Sequence, residues 1–451
     1  MSSIRTGKNA APILCLILLA CLLLSHIQAE PVVPSLPAAA AVQPSLVCNS
    51  SLALLLATRF RALGKKGRDT SNCPDEVWLP LMADADDKAR YIMFNVGYNK
   101  GYNFANWMHL FAPATRMTPA EWFRQIDEAK TALPWQKACG ECNDCHVTFG
   151  KTARQSRFRA KFHAEAYAHA SAGAGFNGSN GSVNIDNDTT TTTTRLVMVG
   201  VDLNEQNTHL VKTIMNNVGI KRGSGRNNIT SVHPPAAAIA AAAAVDTKSA
   251  AAPDNPNFDG ITLELHHAAV SDHDGHLAIK KCAPGVETCA ITPHELWNAS
   301  IDDLRRQSDQ YYLVRLLTVD SLAKEVFSRL RERHSSATQQ PMEIDILMVD
   351  TEGNDALVLK GSANMLSRQM VRCLIFEYHF FGQWEFHKLA DVVQRLSQDG
   401  YDCFFQGQKR LWALSNGCWH DLYEFKGWSN VMCLKRGDVW MSAIRHLVVD
   451  S

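Results

Sequence analysis

Short apolar runs alternate with amphipathic stretches through most of the chain. The strand-like runs are Arg195–Leu203 (RLVMVGVDL), Ile261–Ser271 (ITLELHHAAVS), Ile344–Asp350 (IDILMVD), Val371–Tyr378 (VRCLIFEY), Tyr401–Gln406 (YDCFFQ) and Ser429–Arg436 (SNVMCLKR). Helical stretches follow three of them, at Glu205–Asn217, Asn354–Leu366 and Glu385–Gln398. This alternation predicts an α/β fold, a doubly wound, mostly parallel sheet covered on both faces. Ahead of it, Leu46–Leu63 and Pro119–Ala132 read as helices. The second has Pro119 at its first position, with Thr118 and Glu121 spaced as a capping box.

Two stretches break the pattern. Residues 171–194 (SAGAGFNGSNGSVNIDNDTTTTTT) have the Gly, Ser, Asn and Thr content of a flexible linker, and residues 231–257 are mostly alanine-rich low complexity. Both are expected to be insertions in a sheet domain running from 76 to 440. Residues 30–72 open with the Pro- and Ala-rich EPVVPSLPAAAAVQPS and read as a stalk or disordered lead.

The 451 residues carry 45 Lys plus Arg against 45 Asp plus Glu, and no basic block. That balance removes the electrostatic footprint of a nucleic-acid binder. Residues 1–29 read as a secretory signal peptide, from Arg5 and Lys8 through the apolar run Ala10–Leu24 to Ile27-Gln28-Ala29. A retained N-terminal membrane anchor is the alternative. The pattern N-x-[ST] occurs at Asn49, Asn177, Asn180, Asn187, Asn228 and Asn298, and thirteen cysteines are present, two of them in the leader. Both features agree with the secretory pathway as compartment: secreted, lumenal in the ER or Golgi, or single-pass type II.

The stretch Met93–Ala105 (MFNVGYNKGYNFA) reads as a strand, a glycine turn and a helix start. Asn99 stands where a dinucleotide turn needs a glycine, and Gly101 is not followed by the Lys-[Ser/Thr] of a phosphate loop. Both comparisons disfavour a ligand with a diphosphate. S-adenosylmethionine fits what remains, since its carboxylate can use turn N–H groups and its ribose wants an acid. Asp202, at the end of the next strand-like run, is that acid.

These residues resemble the FkbM-type S-adenosylmethionine-dependent methyltransferases. The resemblance runs through NVGYNKGYNFA, VGVDLNEQN, AAVSDHDGHLAI (Ala268–Ile279), IDILMVDTEGNDALVLKGSANML (Ile344–Leu366) and LIFEYH. Its most specific part is Asp350-Thr351-Glu352-Gly353 with Leu359-Lys360-Gly361-Ser362. It implies a Rossmann-like methyltransferase sheet, with Asn95, Gly97, Asn99, Gly101, Asp202 and Asp272 at the cofactor. Asn95 replaces an Asp of the family's first motif, and Asp202 replaces the more usual Glu.

For the acceptor side the candidates are Asp350 and Glu352, leaving the fourth strand, and His379, leaving the fifth. The two carboxylates could instead hold a divalent metal, or Glu352 could cap a helix. His266 and His267 point to opposite faces of a strand and cannot chelate together. Cys142–His146 matches the C-x-x-C-H haem pattern. Zinc through Cys139, Cys142, Cys145 and His146, or disulfides among these and Cys48 or Cys73, are the other readings, and disulfides suit the compartment best. The expected activity is methylation of a hydroxyl on a glycan or small molecule. The rival reading is a non-catalytic binding glycoprotein built on the same fold.

Overall fold

In the computed structural model the apolar runs form the middle of one ten-stranded sheet. The structure describes residues 47–63, 69–70, 78–86, 88–130, 195–220, 260–281, 311–333, 342–407 and 409–450. The leader, the cysteine-bearing segment 134–150 and both expected insertions lie outside these residues. In chain order the elements begin with α1 (Ser50–Leu63), α2 (Trp78–Asp84), β1 (Arg90–Val96), α3 (Tyr102–Phe111), α4 (Pro119–Lys130), β2 (Arg195–Asp202) and α5 (Glu205–Val218). Then come β3 (Ile261–Val270), β4 (Gly275–Lys280), β5 (Tyr311–Leu317), α6 (Val319–Arg333), β6 (Ile344–Val349), α7 (Asp355–Lys360) and α8 (Ala363–Ser367). Last are β7 (Val371–Tyr378), α9 (Leu389–Gln398), β8 (Tyr401–Gln406), β9 (Leu411–Ala413), β10 (Ser429–Lys435) and α10 (Val439–Ile444).

The strand order is β4-β5-β3-β2-β1-β6-β7-β10-β8-β9. From β5 to β7 all neighbours are parallel, while β4, β10 and β9 pair antiparallel at the flanks. This mostly parallel mixed sheet is compatible with a Rossmann-like fold. Alternation along a strand sends successive side chains to opposite faces. On β1, Tyr91 and Met93 join a core with α3, α4 and α5, whereas Ile92, Phe94 and Val96 join one with α6, α7, α8 and α9. Burial on both faces explains why the inner strands read as near-continuous apolar runs.

Several helix ends follow the sequence signals. The Glu121 N–H donates to Thr118 Oγ1 at 3.1 Å, and Asn204 caps α5 by accepting from the Gln206 N–H at 3.0 Å. Other ends are set from a distance. The expected helix Asn354–Leu366 is two helices, because Asp320 accepts from the N–H groups of Asn364 (3.0 Å) and Met365 (2.9 Å) and starts α8 afresh. Helix α9 begins at Leu389 rather than Glu385, since Glu424 takes the N–H groups of Leu389 and Ala390.

Disulfides Cys48–Cys418 and Cys403–Cys433 are formed, and Cys373 is a buried thiol. Cys48 therefore pairs far along the chain, not with the cysteines first considered for it. At the amino ends of β6 and β7, Arg372 is 5% exposed and donates to Asp438 (2.7 and 2.8 Å), Asp345 (2.9 Å) and Asp86, with its guanidinium 3.9 Å from the Trp440 ring centroid. No helix among the described residues is long and apolar enough to cross a membrane.

Candidate active site

The carboxyl ends of β1, β2, β3 and β6 converge on one crevice. Its walls are Val96, Gly97 and Asn99 after β1, Val201 to Leu203 with Asn207 after β2, Ala268 to Val270 on β3, and Asp350, Thr351 and Glu352 after β6. In open α/β sheets this end of the strands is where ligands bind.

The β1 turn is built by close approach. Gly97 has φ +83°, and a Cβ there would lie 1.6 Å from the Asp350 carbonyl oxygen. Only glycine lets the chain pass that loop. Asn99 also takes a left-handed φ of 48°, a conformation asparagine tolerates better than most residues. Gly101 (φ +79°) starts α3 and packs against Trp122 and Val211 instead of lining the crevice.

Asp202 ties this turn to the next strand. Its Oδ2 accepts from the Asn99 N–H at 2.8 Å, its Oδ1 from the Asn204 N–H at 2.7 Å, and Asn207 Nδ2 approaches both at 3.4 Å. Burial pushes the carboxyl up to about 7, the hydrogen bonds hold it down, and the Asp350 charge adds to the rise. A carboxylate has about four lone-pair sites, and the two approached only at 3.4 Å by Asn207 are those that ribose hydroxyl donors could take instead. Asn95 is fully buried and does not line the crevice, and neither polar atom of its side chain has a hydrogen-bond partner.

A second group of acids lies at the ends of β6 and β7. Asp355 is fully buried, accepts weakly from the Gly353 N–H at 3.3 Å, and is pushed up to about 7 by burial and then by Asp350. Glu377 accepts from Trp428 Nε1 at 2.6 Å. Burial raises it well above the usual carboxylate range, with the charges of Asp350, Asp355 and Glu352 adding to the rise. Glu352 takes a left-handed φ of 51°, a strained conformation of the kind that gathers at functional sites.

His379 is fully buried and does not line the crevice. Its ring stacks on Phe381 at 3.9 Å, its Nδ1 accepts from the Phe381 N–H at 3.3 Å, and its Nε2 faces Glu377 Oε2 at 3.8 Å. Burial lowers it to about 4, so it is neutral at pH 7. With Nδ1 accepting, its proton sits on Nε2. The lone pair a base would need is occupied by the Phe381 N–H, and Nε2 makes no hydrogen bond to Glu377.

Asp272 also stands apart from the crevice wall: it pairs with Lys360 at 2.7 Å and His273 at 2.8 Å. His267 Nε2 meets the Leu203 carbonyl at 3.0 Å, while His266 lies 4.0 Å from Glu264, so the two do not act together. No group of three or more His, Cys, Asp or Glu among the described residues could hold a metal ion. The C-x-x-C-H stretch lies outside the described residues.

Sequence reasoning missed Asn207, Thr351, Asp355 and Trp428. Asp355 carried a signal, an acid just after a glycine turn and inside an apolar run. Trp428 carried none, since it reaches Glu377 from fifty-one positions away in sequence.

Residues 221–403 match the family described as Methyltransferase FkbM domain. The match takes in β3 to β7, ends within β8 and supports a methyltransferase in general terms; β1, β2 and the turn between Val96 and Tyr102 precede it. No curated protein and no solved structure matches the chain.

Proposed function

We propose that the protein is an S-adenosylmethionine-dependent methyltransferase of doubly wound, Rossmann-like architecture that methylates a hydroxyl on a glycan or small molecule within the secretory pathway. The observation that supports this reading is the joint at the carboxyl ends of β1, β2 and β6, where Gly97 passes against the Asp350 carbonyl and Asp202 holds the Asn99 N–H beside the crevice. The residues fit the cofactor: Gly97 leaves backbone open at the turn, Asp202 suits ribose hydroxyls, Ala268 to Val270 offer an apolar wall, and Asn95, next to Val96 in sequence, carries buried polar atoms without partners. When bound, S-adenosylmethionine supplies a methyl group on a sulfonium whose leaving group is a neutral thioether.

The chain's own task is alignment and removal of one proton from the acceptor hydroxyl. Asp350 is the best-placed base. It lines the crevice, and its charge is the one felt in common by Asp202, Asp355 and Glu377. Burial, with the Asp350 charge adding to it, raises Asp202, Asp355 and Glu377, and Asp350 is the acid among them that we assign to accept the proton. Glu352 lines the same wall on the acceptor side. The two disulfides support the compartment, because such bonds form and persist where conditions are oxidising.

The non-catalytic reading is favoured by one residue, Asn95, which lacks the charge that would face the ammonium group of the methionine moiety. Equilibrium binding of labelled S-adenosylmethionine, followed by a tritium-transfer screen over lumenal glycans and small hydroxylated acceptors, separates the readings. Binding that Asp202→Ala abolishes, with transfer that Asp350→Asn abolishes, is the expected result. Binding without transfer to any acceptor would favour the binding glycoprotein, and no binding at all would sink both the cofactor and the enzyme.

A further inference from the structure

An aromatic shoulder borders the acceptor side of the crevice. His379 stacks on Phe381 with ring centroids 3.9 Å apart, Phe381 meets Trp428 at 5.2 Å, and Phe380 lies 5.6 Å from Phe381 and 5.9 Å from Trp428. His379 is buried and Phe381 and Trp428 are half-buried, but Phe380 is 58% exposed. Single apolar residues scattered over a surface are ordinary, whereas this ring is continuous with others that run inward.

The loop that carries these rings is pressed against the crevice wall. Glu352 lines the crevice, and the next residue, Gly353 (φ +99°), faces Gly382 (φ +66°). A Cβ on Gly353 would lie 3.1 Å from Gly382 Cα and 3.2 Å from the Phe381 ring, and one on Gly382 would lie 2.6 Å from the Gly353 carbonyl oxygen. The Gln383 N–H donates to that same oxygen at 2.7 Å. Two glycines in left-handed conformations therefore hold the aromatic loop against the turn that bears Glu352, closer than larger residues permit. Trp428 is fixed in its turn by Nε1 donating to Glu377 at 2.6 Å.

An aromatic surface thus adjoins the carboxyl groups of Asp350 and Glu352, and no Lys or Arg lines the crevice. Lys426, two residues before Trp428, gives its ammonium group to the carbonyls of Trp384 (2.8 Å) and Glu385 (3.1 Å). An anionic acceptor would meet acids of its own sign. A flat aromatic acceptor would cover the rings but bring few donors to the carboxyl groups. A sugar ring suits both, because its C–H face carries the weak positive charge that an aromatic face attracts and its hydroxyls donate to carboxyl oxygens. Resting on the reading of the crevice as a methyl-transfer site, we propose that the acceptor is a neutral saccharide, stacked by its C–H face on Phe380 with hydroxyls turned to Glu352 and Asp350.

Saturation-transfer NMR on the full-length chain tests this, with the methyl glycosides of galactose, glucose and mannose, methyl glucuronide and catechol as probes. Irradiating the aromatic resonances is expected to saturate the ring C–H protons of at least one neutral hexoside, and to reach the glucuronide and catechol less. Phe380→Ala should weaken hexoside affinity about fivefold. Phe380→Leu, which keeps apolar area without a ring face, should weaken it as much, and Phe380→Trp should retain it. Affinity for labelled S-adenosylmethionine should be the same in all three variants. No saturation of any hexoside, a preference for the glucuronide or catechol, or wild-type hexoside affinity in Phe380→Ala or Phe380→Leu would overturn the proposal. The two readings fail separately: hexoside binding with no affinity for S-adenosylmethionine keeps the saccharide site and sinks the methyltransferase, while cofactor binding without hexoside binding does the reverse.

Discussion

The two ends of the parallel sheet treat charge in opposite ways. At the amino ends of β6 and β7, opposite charges complete one another: Arg372 is shared by Asp345, Asp438 and Asp86, and Lys88 bridges Glu343 (3.0 Å) and Asp345 (2.6 Å). At the carboxyl ends, acids are gathered with acids. Asp202, Asp355 and Glu377 are all raised by burial, and the charge of Asp350 adds to each. The first arrangement locks strands and helices together. The second holds groups in protonation states that solvent would not choose, and such states gather where ligands and protons are handled.

The comparison is broken most directly at the amino end. Arg372→Ala leaves half-buried Asp438 without its cation and buried Asp345 with Lys88 alone, and should lower unfolding free energy by about 3 kcal/mol; urea denaturation measures it. A loss under 1 kcal/mol would mean that the buried network is not what fastens this end. Gly97→Ala comes next. Its Cβ would collide with backbone 1.6 Å away, so the β1 and β6 loops must separate. Affinity for S-adenosylmethionine should fall at least about a hundredfold, or about 2.7 kcal/mol, in a calorimetric titration.

How much of this was written in the chain differs between the same two regions. The inner strands and the glycine turn were legible because they depend on local properties: apolar runs buried on both faces, and a backbone that only Gly97 permits. Strand β7 falls at Val371–Tyr378, the span its apolar run marks. The edges were not legible. Strands β4, β5 and β9 are short or mixed in polarity, and their pairing is decided by neighbours distant in sequence. The break between α7 and α8 depends on Asp320, over forty residues upstream. At the site, Asp350 and Glu352 were found because they adjoin the turn motif, and both line the crevice. His379 and Asp272 sit close to the site along the chain, yet folding gives them to Phe381 and to Lys360. Sequence proximity names candidates, but the choice of partner is tertiary.

A smaller effect of the opposite sign tests the carboxyl end. Glu377→Gln keeps an oxygen for Trp428 Nε1 and removes a titration. The folded carboxyl is raised above its ordinary value of 4.5, so the stability it contributes is fully present below pH 4.5 and is lost as pH rises toward the folded value. The variant should match the wild type in acid and exceed it at neutral pH. Thermal unfolding across that range shows it. Equal destabilisation at every pH would place Glu377 with the paired charges of the other end.

The finest test concerns Asp202 as a ligand for ribose hydroxyls. Its carboxyl is raised from 3.8 to about 7, with burial as the main cause, and only the ionised form accepts from hydroxyl donors on both oxygens. Cofactor affinity should therefore lie about twofold below its alkaline plateau at pH 7 and fall about tenfold for each further unit of acid. Stability moves the other way. A folded carboxyl raised above its unfolded value favours folding below 3.8, and that contribution is lost as pH climbs toward about 7. In Asp202→Asn the pH dependence of affinity should disappear, leaving weak and pH-independent binding, and that of stability should shrink to what Asp355 and Glu377 contribute. If affinity in the variant still fell with acid, another crevice acid would be the titrating ligand, and the division of labour among these carboxylates would have to be redrawn around Asp350.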